Sequence, residues 1–355
     1  MVYLKDRWIS AQLHRGDAEE AEFDTLCRIM RFEYYSEAIA ALPKLSVDGT
    51  VDNSIHFSHW QGNTTPAEVK ADTSTEIALN LVASPNRSAL TQDIELVTNN
   101  HFDTDGALSV WSVLAGERAL DFKELLIDAA EAGDFSEYSS ADGVRVSLAI
   151  QGSDGAIPEG DSGSPFARLL AGSNVTDDAR TYELVLPEIE NLLSNINKYE
   201  SLWRDGWKSI EVALESFASG ASKVVEQSKI SLVTLAPDIF GGRFSPTKHS
   251  APFTAISNAA RGELFVIAIP TSGGWFYRID YPYYSWAETV VRPRIERRDL
   301  SVVLRVLNED ESGEGSWKVD NSEMTSAAKF LDDAGLMVAS NLEPDTVVQI
   351  LLSSY

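Results

Sequence analysis

The chain is short of several things that would narrow its role at once. Cys27 is the only cysteine, so neither a disulfide framework nor a thiolate cage for zinc can be built within one copy. Basic residues are scarce: 29 Lys and Arg stand against 54 Asp and Glu, a net charge of −25. A surface that acidic repels duplex nucleic acid and anionic lipid, which both need a basic footprint. No run approaches the roughly 20 apolar residues of a membrane helix. The opening MVYLKDRWISAQLHRGD has no apolar segment leading to a small-residue cleavage site. These absences predict a soluble cytoplasmic protein that contacts neither membrane nor duplex nucleic acid. Histidine is also rare, with five in the chain, so its placement is informative.

What is present reads as a globular protein. The 355 residues are 44% hydrophobic, enough for two cores. Residues 1–45 carry Ala, Glu and aromatics at helical spacing, closed by Pro43. VDNSIHFSHW then reads as a strand, and TSTEIALNLV as a helix opened by Thr73 and Glu76 in capping-box positions. DIELVTNN is a second strand, DTDG a tight loop and ALSVWSVL a second helix. FKELLIDAAEAGDFSEY is helical before Gly133, and a Gly/Ser/Asp-rich stretch covers 152–164. Amphipathic helices run from about 185 to 220. ISLVTLA, GELFVIAIP, GWFYRIDY and LSVVLRVL are strand-like. The expected fold is α/β. A doubly wound, mostly parallel sheet occupies 1–180, a helical connector 181–228, and a smaller β-rich α+β domain 229–355.

The chemistry gathers at strand ends, where open α/β sheets bind ligands. His56 and His59 end the first strand and His101 the second. His101, Asp103 and Asp105 alternate along an extended loop, and Gly106 allows a sharp turn into the helix. A nitrogen and carboxylate set suits divalent Mn, Fe or Zn better than Mg or Ca. Alternate carboxylates of one loop can face two different ions. Capping offers a simpler use for Asp105 and Asp72, and Asp-x-Asp-Gly is also ordinary turn chemistry.

The run His101-x-Asp103-x-Asp105-Gly106 resembles the first motif of the DHH phosphoesterase superfamily, which includes family II pyrophosphatases and oligoribonuclease-type enzymes. Ser58-His59-Trp60, Asn63 and Asp72-Thr73-Ser74-Thr75-Glu76 resemble its third and fourth motifs. They precede the first motif instead of following it, as in a circularly permuted core. Ser58 stands in place of the motif's aspartate. Trp60 stands in place of its second histidine, which in the family faces substrate phosphate. The resemblance implies His101, Asp103, Asp105, Asp134, His59 and Asp72 as ligands of two divalent ions, Mn first, then Fe or Zn. Asp134 would be the shared ligand that fixes the metal spacing, with Asp128 the second choice. His59 or His56 would protonate the leaving group, and Asn63 would meet the substrate. The implied reaction is attack by metal-activated hydroxide on a small phosphorylated molecule, nucleotide or short oligonucleotide.

Other features widen the reading. Arg292, Arg294, Arg297, Arg298 and Arg305 concentrate positive charge fit for an anionic substrate, or for salt bridges to surface acids. His249, in a Pro-rich loop, is a further substrate contact. Gly160-Asp161-Ser162-Gly163-Ser164-Pro165 is similar to a serine-protease nucleophile segment, but the long helices after it disfavour that fold. The dense aromatics at 274–286 suit packing, ring stacking or an oligomer interface, and a homodimer is compatible with them. Two other functions fit the same residues. One is a metal-dependent hydrolase of an amide or carboxylate-bearing substrate. The other is a binding protein with a degenerate site.

Overall fold

The computed structural model describes residues 30–152 and 163–354. Cys27 and residues 160–162 of the protease-like segment lie outside them. The described chain runs β1 (Arg31–Phe32), β2 (Lys44–Val47), β3 (Ser54–Phe57), α1 (Ser74–Ala83), α2 (Arg87–Thr91), β4 (Leu96–Thr98) and α3 (Thr104–Ala115). Then come α4 (Lys123–Phe135), α5 (Ala141–Ile150), α6 (Pro165–Ala171), α7 (Asp178–Val185), α8 (Ile189–Ser194) and α9 (Glu200–Ala218). The remainder is β5 (Lys223–Gln227), β6 (Ile230–Thr234), α10 (Phe253–Ala259), β7 (Leu264–Thr271), β8 (Gly274–Asp280), α11 (Ser301–Asp310), β9 (Ser316–Val319), β10 (Ser326–Leu331) and α12 (Pro344–Ser354).

The fold is mixed α/β with a parallel sheet and a second, β-rich lobe. The first sheet has the order β1-β4-β2-β3, and every pairing in it is parallel. Val47 pairs with Phe57 and Ser46 with Thr98, so β2, β3 and β4 end level with one another. The loops that leave these strands therefore meet at one edge. Helix starts are fixed by side-chain caps: Thr73 accepts the Glu76 N–H and Asp103 the Gly106 N–H. The buried apolar core of this lobe draws on residues from Phe32 to Trp203. The segment read as a connector is thus partly core, with Tyr182, Leu186, Ile189, Leu192 and Trp203 packed into it.

The second sheet runs β5-β6-β7-β8-β10-β9 and is antiparallel except between β6 and β7. Its inner strand β7 buries both faces. Val266 and Ala268 of β7 enter one core, while Phe265, Ile267 and Ile269 enter another.

Three local expectations are corrected. Of the stretch read as helical up to residue 45, residues 1–29 lie outside the described residues, and the described part holds β1 and the start of β2 instead of a long helix. LSVVLRVL is helix α11: Val303, Leu304 and Leu307 are buried at helical spacing while Arg305 faces out. Helix α4 continues through Gly133 to Phe135. A Cβ on Gly133 would fall 2.7 Å from Thr104 Cβ, so glycine lets α4 pack against the start of α3.

Candidate metal centre

Three loops converge where β2, β3 and β4 end. They bring Asp48, His59, His101, Asp103 and Asp105 together, and Asp134 joins them from the end of α4. The residues form two groups, Asp48 with His59, Asp105 and Asp134, and Asp48 with His101 and Asp103. Asp48 belongs to both because β2 is the middle strand of the three. Its backbone adopts a left-handed φ of 51°, which Asp tolerates better than most residues. One carboxylate oxygen, Oδ1, accepts from Ser74 Oγ (2.8 Å) and Trp60 Nε1 (3.3 Å). The other, Oδ2, faces His101 Nε2 at 3.1 Å.

The first group is almost enclosed, with only the Asp134 side chain reaching solvent, at 6% exposure. His59 places Nδ1 2.6 Å from the main-chain oxygen of Asp72. A carbonyl only accepts, so Nδ1 carries a proton and Nε2 is the nitrogen turned into the group. Nε2 lies 3.1 Å from Asp134 Oδ2, 3.5 Å from Asp48 Oδ1 and 3.6 Å from Asp105 Oδ2. Asp105 is held by the Ser74 and Thr75 N–H groups at the start of α1 (2.7 and 2.6 Å). The second group opens to solvent: the His101 and Asp103 side chains are 27% and 23% exposed. His101 Nε2 is 3.0 Å from Asp103 Oδ2, while Asp103 Oδ1 caps α3 at 2.7 Å.

Electrostatics reflect this crowding. Burial raises the Asp105 carboxyl to about 7, helped by the Asp48 charge. Burial, then Asp103 and Asp105, push Asp134 well above the carboxylate range. Burial opposes a charged His59, but Asp134, Asp105 and Asp48 outweigh it and push the imidazole up to about 10. His101 rises to about 12, where Asp103 and then Asp48 overcome the same burial cost. The set calls for positive charge. His59 Nε2, His101 Nε2 and Asp48 Oδ2 are buried and make no hydrogen bond. A divalent cation in each group would take the place of the imidazole protons between the Nε2 atoms and the facing carboxylates, so these residues could hold metal.

Other residues named from the sequence lie elsewhere. Asp72 is in neither group. Its carboxylate accepts from the Val291 and Arg292 N–H groups (2.8 and 3.0 Å), from the Val290 N–H and from Arg292 Nη1 (2.8 Å). Asp134, read as the shared ligand, sits in one group, and Asp48 takes the shared place. Asp128 is in neither. His56 is outside both, its Nδ1 accepting the Thr64 N–H. His59 has one nitrogen on the Asp72 carbonyl and the other facing Asp134 in the first group. Asn63 is spent on Trp60 O, the Thr65 N–H and Glu288 (2.9, 3.0 and 2.9 Å). Arg292 is saturated by Asp72, Glu131 and Glu137. Arg294 is exposed, Arg298 donates its N–H to Tyr281 Oη, and Arg305 is on the outer face of α11. His249 stacks on Phe240, and both line a cavity of about 300 Å³ together with residues of α4, α5, α9 and α10.

Asp48 is the residue that sequence reasoning misses. Its signal is a short apolar run ending in Asp-Gly, the same placement that makes His59 and His101 conspicuous. The second lobe closes one side of the centre: Trp286 is edge-on to His59 at 4.9 Å and 5.2 Å from Trp60.

Residues 29–352 match a family model described as a family of unknown function (DUF6687), and the chain belongs to that family. No curated protein matches it. Among solved structures it is similar to a pGpG-specific phosphodiesterase, PggH from Vibrio cholerae. The identity is 11% over 87% of this chain and 83% of that one, with a TM-score of 0.31. At that level the likeness bears on neither fold nor activity here. No helix among the described residues is long and apolar enough to cross a membrane.

Proposed function

We propose that this protein is a metal-dependent hydrolase in which two divalent cations act on one substrate, most naturally a small phosphoester. One observation carries the reading: Asp48 lies between two donor groups and directs one oxygen toward each. Imidazole and carboxylate donors suit Mn, with Fe or Zn next. Two such ions, when bound, supply a water nucleophile at neutral pH and a clamp for the oxygens of the attacked group. The chain's own residues set the stage. Asp48 fixes the spacing, and the Asp72 carbonyl turns the His59 ring inward. The start of α1 orients Asp105. Trp60 and Trp286 wall off water on one side.

The resemblance of His101-x-Asp103-x-Asp105-Gly106 to the DHH phosphoesterases favours phosphorus as the attacked atom, in a nucleotide, short oligonucleotide or other small phosphate. A second reading, hydrolysis of an amide or carboxylate-bearing substrate, is favoured by Trp60. Its indole binds Asp48, where that resemblance expects a histidine for phosphate.

Elemental analysis of protein purified without chelator, with a parallel screen of phosphoesters and amides, tests both. Two equivalents of Mn, Fe or Zn with phosphoester turnover, both lost in Asp48→Asn, are expected. Turnover of amides alone selects the second reading. Bound ions with no turnover indicate a binding protein. No transition metal after reconstitution overturns the cation reading.

A further inference from the structure

We propose that Asp72 is a positioning residue that ties closure of the second lobe to the geometry of the buried cation group. The proposal rests on reading that group as a cation site. Asp72 precedes α1, and its carboxylate receives three successive main-chain N–H groups, those of Val290, Val291 and Arg292, plus the Arg292 guanidinium. Consecutive N–H groups converging on one anion form a nest. Burial disfavours the charge of Asp72, yet these donors hold its carboxyl below the usual range. The strap that supplies them, residues 286–292, belongs to the second lobe. The same residue's main-chain oxygen takes the His59 Nδ1 proton at 2.6 Å. One residue thus grips the strap with its side chain and orients a donor ring with its backbone.

The strap also touches His59 directly. The Glu288 N–H donates to His59 O at 2.7 Å, and the Trp286 ring lies edge-on to the imidazole. Arg292 continues past Asp72 to Glu131 on α4 (2.7 Å), the helix that ends beside Asp134. Two donors of the buried group, His59 and Asp134, are therefore braced by the strap. His101 is braced otherwise, by Asn100 Oδ1 at Nδ1 (3.2 Å) and by the Trp60 ring at 5.2 Å. The Trp60 ring also meets Trp286 of the strap (5.2 Å), so release of the strap disturbs the first group directly and the second only through that ring contact.

Calorimetric titration with Mn²⁺ tests this in two backgrounds. In Asp103→Asn the buried group remains, and adding Asp72→Asn weakens Mn²⁺ at least about tenfold, the usual cost of losing an outer support of a ligand. In Asp105→Asn the open group remains, and adding Asp72→Asn changes its affinity by less than about threefold. Hydrogen exchange supplies a readout free of metal. The Val290, Val291 and Arg292 amides exchange slowly in the parent and fast in Asp72→Asn, although the Val291 side chain is 87% exposed. If Asp72→Asn fails to fold, Arg292→Gln loosens the strap from its other side and gives the same pattern. Equal weakening in both backgrounds, or none in the first, overturns the proposal alone. A parent that binds no Mn²⁺ overturns the cation reading with it.

Discussion

The two donor groups share an aspartate and differ in almost everything else. One is sealed under the second lobe, with its imidazole fixed by a backbone carbonyl and its carboxylates fixed by helix N–H groups. The other sits at the rim, about a quarter exposed, with its imidazole fixed by a neighbouring side chain. Burial strengthens every electrostatic interaction and raises the cost of leaving one unbalanced. On the proposed reading the sealed group would retain a cation, and the rim group would exchange one and meet substrate.

The most damaging change to this pair is at its hinge. Asp48→Asn is expected to abolish binding of both ions, whereas Asp103→Asn and Asp105→Asn each remove one, as counted by elemental analysis. Next in size is the response to chelation and pH. Folded values of about 7 for Asp105 and about 10 for His59 lie above the ordinary 3.8 and 6.5. A raised folded value gives stability that is full below the unfolded value and lost as pH rises through the folded one. Chelated protein should therefore lose stability steadily between about pH 4 and 10, followed by thermal melts. Bound ions require the deprotonated donors and reverse that slope. Each ion supplied at a hundredfold its Kd should add about 2.7 kcal/mol.

Gly133→Ala sharpens the contrast. The new methyl meets Thr104 Cβ at 2.7 Å and pushes α4 away. A loss of about 1–3 kcal/mol in urea unfolding is expected, with weaker Mn²⁺ at the sealed group and no change at the rim. The smallest effect belongs to Trp60→Phe. It keeps the aromatic wall and removes the indole N–H from Asp48, costing about 1.5 kcal/mol or less by the same unfolding assay.

Much of the centre is legible in the sequence because strand ends carry it. His59, His101, Asp103 and Asp105 follow apolar runs with strand character, and parallel pairing then puts such ends together. Asp48 obeys the same rule on a strand the sequence disguises. Lys44 opens β2 fully buried, and its ammonium is satisfied by the carbonyls of Ala40 and Leu42, which no local pattern announces. Asp72 misleads for a related reason. A carboxylate before a helix looks alike whether it caps, coordinates or receives a nest from distant chain, and its partners at 290–292 are invisible to local reading. Helix α11 reads as a strand because an eight-residue run of Leu and Val fits either period.

The position of β2 has a consequence for how the protein reaches its native state. β2 pairs with β3, its near neighbour along the chain, and with β4, which arrives only after two intervening helices. Asp48 meets His101, Asp103 and Asp105 only when the later pairing is made, so a chain halted before β4 docks has only Asp48 and His59 in place and neither group is complete. On the cation reading, ion uptake would be a timestamp on the docking of β4, which joins both β1 and β2. Stopped-flow refolding with a metal-sensitive dye would read it as a signal that comes after burial of the β2–β3 pair and coincides with the completed edge.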